Sequence, residues 1–183
     1  MVGMGTTTLL TFEEFERIEQ GADHIELLGG EMIRVPPAQK RHNLTRERLY
    51  KLLDAAVESR RGTGAVMRLG QVHTEMGYLL GTGPRSWLQP DVSITHPNQP
   101  GDRYYEGAPL VVFGIVSEYD TAMDLEAKVA EYLANGSAEV WVIYPERRYA
   151  WVYGPSPKAA RQETRAIRGD LLAEIEIPFT DVL

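Results

Sequence analysis

The sequence predicts an α/β (α+β) fold in which a mixed central β-sheet is flanked by helices. Two segments with helical periodicity, residues 43–60 and 121–135, have extended segments on either side of them. One extended segment, residues 109–116, is almost wholly apolar, as expected for a strand buried on both faces. The 183 residues, of which 43% are hydrophobic and 25% charged, can bury a core without disulfides, and no linker divides them. We therefore expect a single domain over residues 1–183.

The N-terminal third is predicted to contain a short helix, a hairpin and a long helix. A capping-box pattern at the start of residues 11–20 predicts the short helix. Two extended runs, 25–28 and 31–35, flank a Gly-Gly pair, which is typical of a β-hairpin. Residues 43–60 follow with an apolar stripe at helical spacing, and the glycines at 62 and 64 are expected to end that helix.

The remainder is predicted to be mostly strands around the second long helix. The glycine-rich segment 77–84 is expected to be a loop, and its glycines lack the order of a phosphate-binding loop. Two extended runs, 162–167 and 171–177, predict a C-terminal β-hairpin. Further strands are expected at residues 65–74, 91–95, 109–116, 139–143 and 149–153.

Composition excludes several classes of protein. The chain has no cysteine, which excludes disulfides, Cys-ligated zinc and thiol catalysis. That absence suits a reducing compartment and residues 1–10 show no signal-peptide pattern, so we expect a cytoplasmic protein. No apolar run approaches the roughly 20 residues of a membrane span, so we expect no membrane partner.

Basic charge is concentrated in one segment of an acidic chain. The net charge of −7 argues against non-specific coating of nucleic acid. Residues 34–68 nevertheless carry nine basic and three acidic side chains, a local charge of +6 against −13 for the rest. A solvated helix face explains this excess, and a surface for phosphate backbones is the alternative. The candidate nucleic-acid-binding residues are Lys40, Arg41, Arg46, Arg48 and Lys51.

Four groups of polar residues are candidates for catalysis or metal binding, although each also has a simpler structural explanation. An Asp after a Pro is a common turn residue. Carboxylate–lysine pairs four apart on a helix are usually surface ion pairs, and hairpin carboxylates are usually solvated. A single His near a helix start is usually a cap or a surface residue. These candidates are Asp91 after Pro90, Asp124 with Lys128, Glu26 and Glu31 around the Gly-Gly turn, and His42.

The order of several short motifs is more informative than any one of them. They are Ile-Glu-Leu-Leu-Gly-Gly-Glu at 25–31, Val-Pro-Pro at 35–37, His42, Pro-Asp-Val-Ser at 90–93, Pro-Leu-Val-Val at 109–112, Ser117, Asp-x-x-x-Lys-x-x-x-Tyr-x-x-x-Gly at 124–136 and Glu-Val-Trp at 139–141. In this order they resemble the Uma-type family of bacterial restriction endonucleases, in the PD-(D/E)xK nuclease superfamily. The resemblance covers about residues 10–153, which leaves 154–183 as a C-terminal extension.

The resemblance implies a restriction-endonuclease-like fold and a Mg²⁺- or Mn²⁺-dependent endonuclease that acts on nucleic acid, with DNA the expected substrate. By position, Asp91 matches a catalytic and metal-binding Asp, and Lys128 matches a Lys that places or activates water. Glu31 matches a Glu that completes the acidic cluster, and His42 matches a His found before the first long helix. Oxygen ligands of this kind suit Mg²⁺, which stabilises charge on a scissile phosphate.

One departure from the family pattern concerns the strand Glu, whose position is occupied by Gly114. No carboxylate lies within residues 109–116, so a register shift cannot supply one. The Ile115 carbonyl and Glu118 are the nearest substitute ligands. We therefore expect metal affinity and cleavage to be impaired or lost. A non-catalytic nucleic-acid or protein binding module on a nuclease fold is the alternative, and a homodimer stays open.

Overall fold

The computed structural model describes residues 9–18, 24–60, 68–81, 86–154, 160–169, 171–172 and 175–183. The helices of these residues are α1 (Phe12–Arg17), α2 (Lys40–Glu58), α3 (Ala122–Ala134) and α4 (Phe179–Val182). The strands are β1 (His24–Leu28), β2 (Glu31–Val35), β3 (Val72–Thr74), β4 (Tyr78–Leu80), β5 (Ser86–Leu88), β6 (Val92–Ile94), β7 (Tyr105–Glu106), β8 (Val111–Ile115), β9 (Glu139–Tyr144), β10 (Tyr149–Tyr153), β11 (Arg161–Glu163), β12 (Ala166–Ile167) and β13 (Ile177–Pro178).

The described strands form two larger sheets and one small one. The six-stranded sheet has the order β11-β10-β9-β8-β6-β3, and it is mixed because β8 and β9 run parallel. The five-stranded sheet has the order β2-β1-β5-β4-β7, in which β4 and β7 run parallel. Strands β12 and β13 pair with each other. Mixed sheets flanked by helices confirm the predicted α+β class.

The six-stranded sheet is covered on both faces, which explains the apolar sequence of its central strand β8. On one face Phe113 and Ile115 pack with Leu53 of α2. On the other face Val112 packs with Tyr132 of α3 and with side chains of β4 and β5. A strand between two such layers has no solvent-facing side, which explains why the sequence of β8 is almost continuously apolar.

Several predicted elements occur where the sequence indicates them. The Gly-Gly turn joins β1 and β2 in an antiparallel hairpin in which Leu28 pairs with Glu31. Thr121 caps α3 by accepting a hydrogen bond from the backbone N–H of Asp124. Helix α1 has the predicted capping box but ends at Arg17, because Ile18 already has an extended backbone.

Four expectations differ from the structure or fall outside it. The segment predicted as a loop, 77–84, contains β4, because Tyr78 and Leu80 are buried and β4 pairs with β5. At the C-terminus β12 pairs with β13 as a short antiparallel sheet, whereas β11 extends the main sheet beside β10. The strand predicted at 65–74 is shorter than expected, because residues 68–71 are not in a strand and β3 covers only Val72–Thr74. The predicted helix end at residues 62 and 64 and residues 65–67 of that strand lie outside the described residues.

None of the helices in the described part of the chain combines the length and the apolar character that crossing a bilayer requires.

Candidate functional site

A cleft opens where the two larger sheets meet the first turns of α2 and the middle of α3. Its volume is about 170 Å³. The described residues that line it include four carboxylates and two cations, with two histidines and several uncharged residues. The cleft is therefore net negative when its histidines are neutral. The charged side chains are Glu26, Glu75, Asp91, Asp120, Arg46 and Lys128.

Asp91 lies just before β6, an inner strand of the six-stranded sheet, and two neighbouring residues hold its carboxylate. It follows Pro90 in the sequence. Its Oδ2 accepts a hydrogen bond from the backbone N–H of Ile115 at 2.7 Å. Its Oδ1 lies 3.2 Å from Nε2 of His42. The carboxylate is thus fixed between the end of β8 and the start of α2.

His42 connects α2 to the end of β8. Its Nε2 also lies 3.0 Å from the carbonyl oxygen of Ile115. Because both neighbours of Nε2 are acceptors, we assign the proton of the neutral ring to Nε2. Burial alone lowers the pKa of His42, but the hydrogen bond and charge of Asp91 outweigh it, so that the pKa lies above its ordinary value.

Lys128 and Glu26 form an ion pair between α3 and β1. Glu26 is almost fully buried, with 2% of its surface exposed, and its Oε2 contacts Nζ of Lys128. Its Oε1 accepts a hydrogen bond from the backbone N–H of Gln89 at 2.8 Å. Burial lowers the pKa of Lys128, but Glu26 and, more weakly, Asp91 raise it above the ordinary value. Lys128 is therefore an ammonium ion at neutral pH, which suits it to stabilise negative charge rather than to accept a proton.

Gly114 and Asp91 are the next residues beyond the last pair of the backbone ladder that joins β6 to β8. These strands are antiparallel, and the last pair is Val92 with Phe113. Continued by one step, this register would place Asp91 across from Gly114. A side chain at position 114 would then project from the segment that neighbours Asp91.

The face of β8 that Gly114 would present is the one covered by α3. Side chains alternate along a strand, and Val112 belongs to the cluster that α3 joins. A side chain at position 114 would thus lie on the same face as Lys128. A Cβ atom at this position would meet the carbonyl oxygen of Trp141 at 3.9 Å, an ordinary van der Waals distance. The surroundings consequently accommodate a Cβ atom at this position.

Within the described part of the chain, the side chains do not by themselves form a full set of ligands for a divalent metal ion. Mg²⁺ and Mn²⁺ require several oxygen ligands around one point. The described residues contain no group of three or more His, Asp or Glu side chains that could hold a metal ion. Both oxygens of Asp91 and of Glu26 already have partners. With a glycine at position 114, the acidic set around Asp91 is incomplete.

The structure does not bring all the predicted site residues together. Asp91, His42, Lys128 and Ile115 line the cleft. Glu31 is exposed at the first position of β2 and lies outside this lining. The remaining candidate ligand, Glu118, accepts a hydrogen bond from Gln39 and lines a neighbouring groove.

Three of the five basic candidates on α2 contact carboxylates. Arg41 pairs with Glu146 and Lys51 pairs with Glu47, both as exposed surface pairs. Arg46 pairs with Glu75 inside the cleft. The other two candidates, Lys40 and Arg48, are exposed. Carboxylates thus offset three of these five charges, and two of the three carboxylates, Glu75 and Glu146, are distant in sequence.

Glu26 is a candidate from its place before the Gly-Gly turn, but the family resemblance matches Glu31, and not Glu26, to the acidic cluster. The sequence does contain a signal, because Glu26 stands between Ile25 and Leu27 in the middle of a predicted strand. A carboxylate there must either interrupt a buried face or have a partner in it. The partner, Lys128, lies 102 residues away along the chain and could not be identified before the fold was known.

Comparison with known proteins gives a consistent assignment. A family model described as "Uma2: Putative restriction endonuclease" matches residues 12–180. The fold is similar to a crystal structure from Anabaena variabilis described as a putative nuclease belonging to DUF820, with a TM-score of 0.77. The two chains are 17% identical, and the match covers 94% of this chain and 97% of the other. A search of the curated proteins found no match.

Proposed function

The chain belongs to the Uma2 family of restriction-endonuclease-like proteins, and on that premise we propose that it is a metal-dependent endonuclease whose activity is impaired at Gly114. The observation that carries the proposal is the position of Gly114, one step beyond the last pair of the β6–β8 ladder, as is Asp91, and on the face of β8 that α3 covers. Asp91, His42 and Lys128 line one cleft there, whereas Glu31 and Glu118 lie outside it. Its substrate would be nucleic acid, with DNA the expected form.

The chemistry requires positive charge where a phosphodiester gains negative charge. A divalent metal ion, when bound, would stabilise that charge and lower the pKa of a water molecule. The ammonium of Lys128 would add a fixed positive charge at the same place. Asp91 would be the principal anchor for the cation, because its segment is fixed by Pro90 and by the Ile115 N–H. With a glycine at position 114, a single strongly placed carboxylate would hold the ion weakly.

The proposal is tested by restoring the carboxylate. We expect Gly114→Glu to cleave plasmid DNA or single-stranded oligonucleotides with Mg²⁺ or Mn²⁺ on the order of 10²-fold faster than the unchanged chain. Gly114→Gln is the matched control, because it has the same shape without the charge. A second control, Gly114→Glu with Asp91→Asn, keeps a hydrogen-bond acceptor for Ile115 but removes the anchoring charge.

Three outcomes decide the matter. Cleavage by Gly114→Glu alone, with tighter Mn²⁺ binding by calorimetry, supports the proposal. Equal cleavage by Gly114→Glu and Gly114→Gln would show that charge at position 114 is irrelevant. No cleavage and no gain in Mn²⁺ affinity, in a variant whose circular dichroism is unchanged, would contradict the assigned site.

The alternative is a non-catalytic binding module for nucleic acid or protein on the same fold. It has less support, because Arg41, Arg46 and Lys51 each contact a carboxylate and offer little uncompensated charge. It would become the better account if DNA bound the chain without metal while Gly114→Glu failed to cleave.

A further inference from the structure

We propose that Arg46 is a phosphate-binding subsite of the cleft and that the carboxylate of Glu75 occupies it until a nucleic-acid phosphate displaces it. The inference rests on the proposed function, because its ligand is the backbone of the same substrate. It goes beyond that function in assigning the place of a phosphate and the group that blocks it.

Arg46 differs from the other cations of α2 in its surroundings. It lies four residues after His42, so both side chains project from one face of the helix into the cleft. Its side chain is 19% exposed, against 54% for Arg41 and 67% for Lys51. It lines the same cleft as Asp91 and Lys128. A largely desolvated guanidinium in that cleft is well placed to hold a phosphate next to the reacting one.

Glu75 presents its carboxylate to Arg46 from the segment that follows β3. Nη1 of Arg46 contacts Oε1 of Glu75. The Glu75 side chain is 48% exposed, so it can turn to solvent when another anion takes its place. A carboxylate and a phosphodiester each offer two oxygens and one negative charge to a guanidinium, so one can substitute for the other.

The backbone of Glu75 is fixed in a conformation that holds this contact. Its φ angle is 47°, in the left-handed region that non-glycine residues seldom adopt. Its carbonyl oxygen accepts a hydrogen bond from Nε2 of Gln89 at 3.1 Å. The backbone N–H of the same Gln89 donates to Glu26, the partner of Lys128. Glu75 therefore belongs to the same hydrogen-bonded segment as the central ion pair, and its side chain is aimed at the cleft.

The test is metal-free binding of a short fluorescein-labelled DNA, single- and double-stranded, followed by fluorescence anisotropy in EDTA. We expect Glu75→Gln to tighten binding about fivefold or more, because Arg46 no longer has a competing anion. Arg46→Gln should weaken binding and reduce the slope of log affinity against log salt by about one. In the double variant, Glu75→Gln should have almost no effect, since the cation that it unmasks is absent.

Glu47→Gln is the matched control for net charge, because it removes a carboxylate from the exposed Lys51 pair on the same helix. The proposal is overturned if Glu47→Gln and Glu75→Gln tighten binding equally, or if Glu75→Gln acts equally with and without Arg46. It is also overturned if no variant binds DNA, or if Glu75→Gln gains affinity only for inorganic phosphate. Arg46→Met, which keeps the length of the side chain but removes its charge, replaces Arg46→Gln if the latter does not fold.

The failure of this inference can be told apart from failure of the proposed function. Cleavage by Gly114→Glu with no effect of Glu75→Gln on binding would leave the nuclease standing and remove the subsite. If Glu75→Gln instead increased DNA affinity only when Arg46 was present, and Gly114→Glu did not cleave, the subsite would stand and the proposed nuclease activity would be rejected.

Discussion

At the scale of single residues, Asp91 combines a structural task with a chemical one. Its two oxygens interact with the Ile115 N–H and with His42, and these contacts join the end of β8 to the start of α2. His42 is protonated more readily than a free histidine because of Asp91, although burial opposes this. The ionisation of His42 is therefore linked to the stability of the fold.

The first prediction concerns this linkage. Because the pKa of His42 is raised by folding, its contribution to the free energy of unfolding is fully present below the unfolded pKa of about 6.5 and is lost as pH rises through the folded pKa. In urea unfolding between about pH 5.5 and pH 8.5, His42→Gln should remove part of that alkaline loss. His73→Gln is the opposing control, since burial lowers the pKa of His73 and its contribution is lost as pH falls. Identical pH profiles for the unchanged chain and His42→Gln would contradict the linkage.

The same residues show how far the sequence could predict the site. Asp91, His42 and Lys128, expected from ordered motifs, line one cleft. Asp91 follows a proline and Lys128 lies in the capped helix α3, whereas His42, expected before the first long helix, lies within α2. The two glutamates of the hairpin were harder to separate. Glu26 and Glu31 flank the same turn, but Glu26 is buried beside Lys128 and Glu31 is exposed. The packing of β1 against the rest of the protein decides which of the two glutamates enters the cleft. The local spacing of residues in the sequence does not reveal this packing.

At the scale of elements, the Glu26–Lys128 ion pair joins β1 of the five-stranded sheet to α3. Because α3 packs on the six-stranded sheet, the pair connects the two larger sheets through this helix. Such a pair is costly to desolvate and does little for stability beyond what apolar residues would do. Removing one member is different, because the other charge is then left buried without its partner.

We therefore expect Lys128→Met to lower the free energy of unfolding by about 3 kcal/mol, since Glu26 would remain buried without its partner. The double variant Glu26→Gln with Lys128→Met should recover much of that loss. Denaturant unfolding of the two single variants and the double variant measures the difference. Additive losses in the double variant would mean that the two side chains are not coupled.

Element prediction from sequence succeeded where the signal was local and failed where it was not. The capped helix α3 and the hairpin β1–β2 have their signals within a few residues. Strand β4 was missed because its glycine-rich surroundings indicate a loop. Three residues there form a strand because they pair with β5 and β7 and because Tyr78 and Leu80 are buried. The local sequence of the segment does not indicate either the pairing or the burial.

At the scale of the whole molecule, the cleft depends on the contact between two sheets. Asp91 and Ile115 come from the six-stranded sheet, whereas Glu26 comes from the five-stranded one. The core between α2 and the six-stranded sheet supports one side of this arrangement, and Leu53 is fully buried within it. Loss of packing there should affect the entire fold rather than one strand.

The corresponding prediction is that Leu53→Ala lowers the free energy of unfolding by about 2–5 kcal/mol. Leu44→Ala, on the same helix but 39% exposed, should change it by less than about 0.5 kcal/mol and serves as the control. Thermal or urea unfolding followed by circular dichroism gives both values. Equal effects of the two substitutions would contradict the assigned faces of α2.

The hydrogen bonds of Asp91 and the ion pair of Lys128 constrain which residues of this site can be substituted during evolution. Both side chains are tied into the architecture, so their loss would be selected against even in a lineage that no longer cleaves anything. Position 114 has no such role, because a Cβ atom there would make only an ordinary contact, with the Trp141 carbonyl oxygen at 3.9 Å. If the proposed function is right, the position that stability constrains least is also the one at which a single substitution would restore activity.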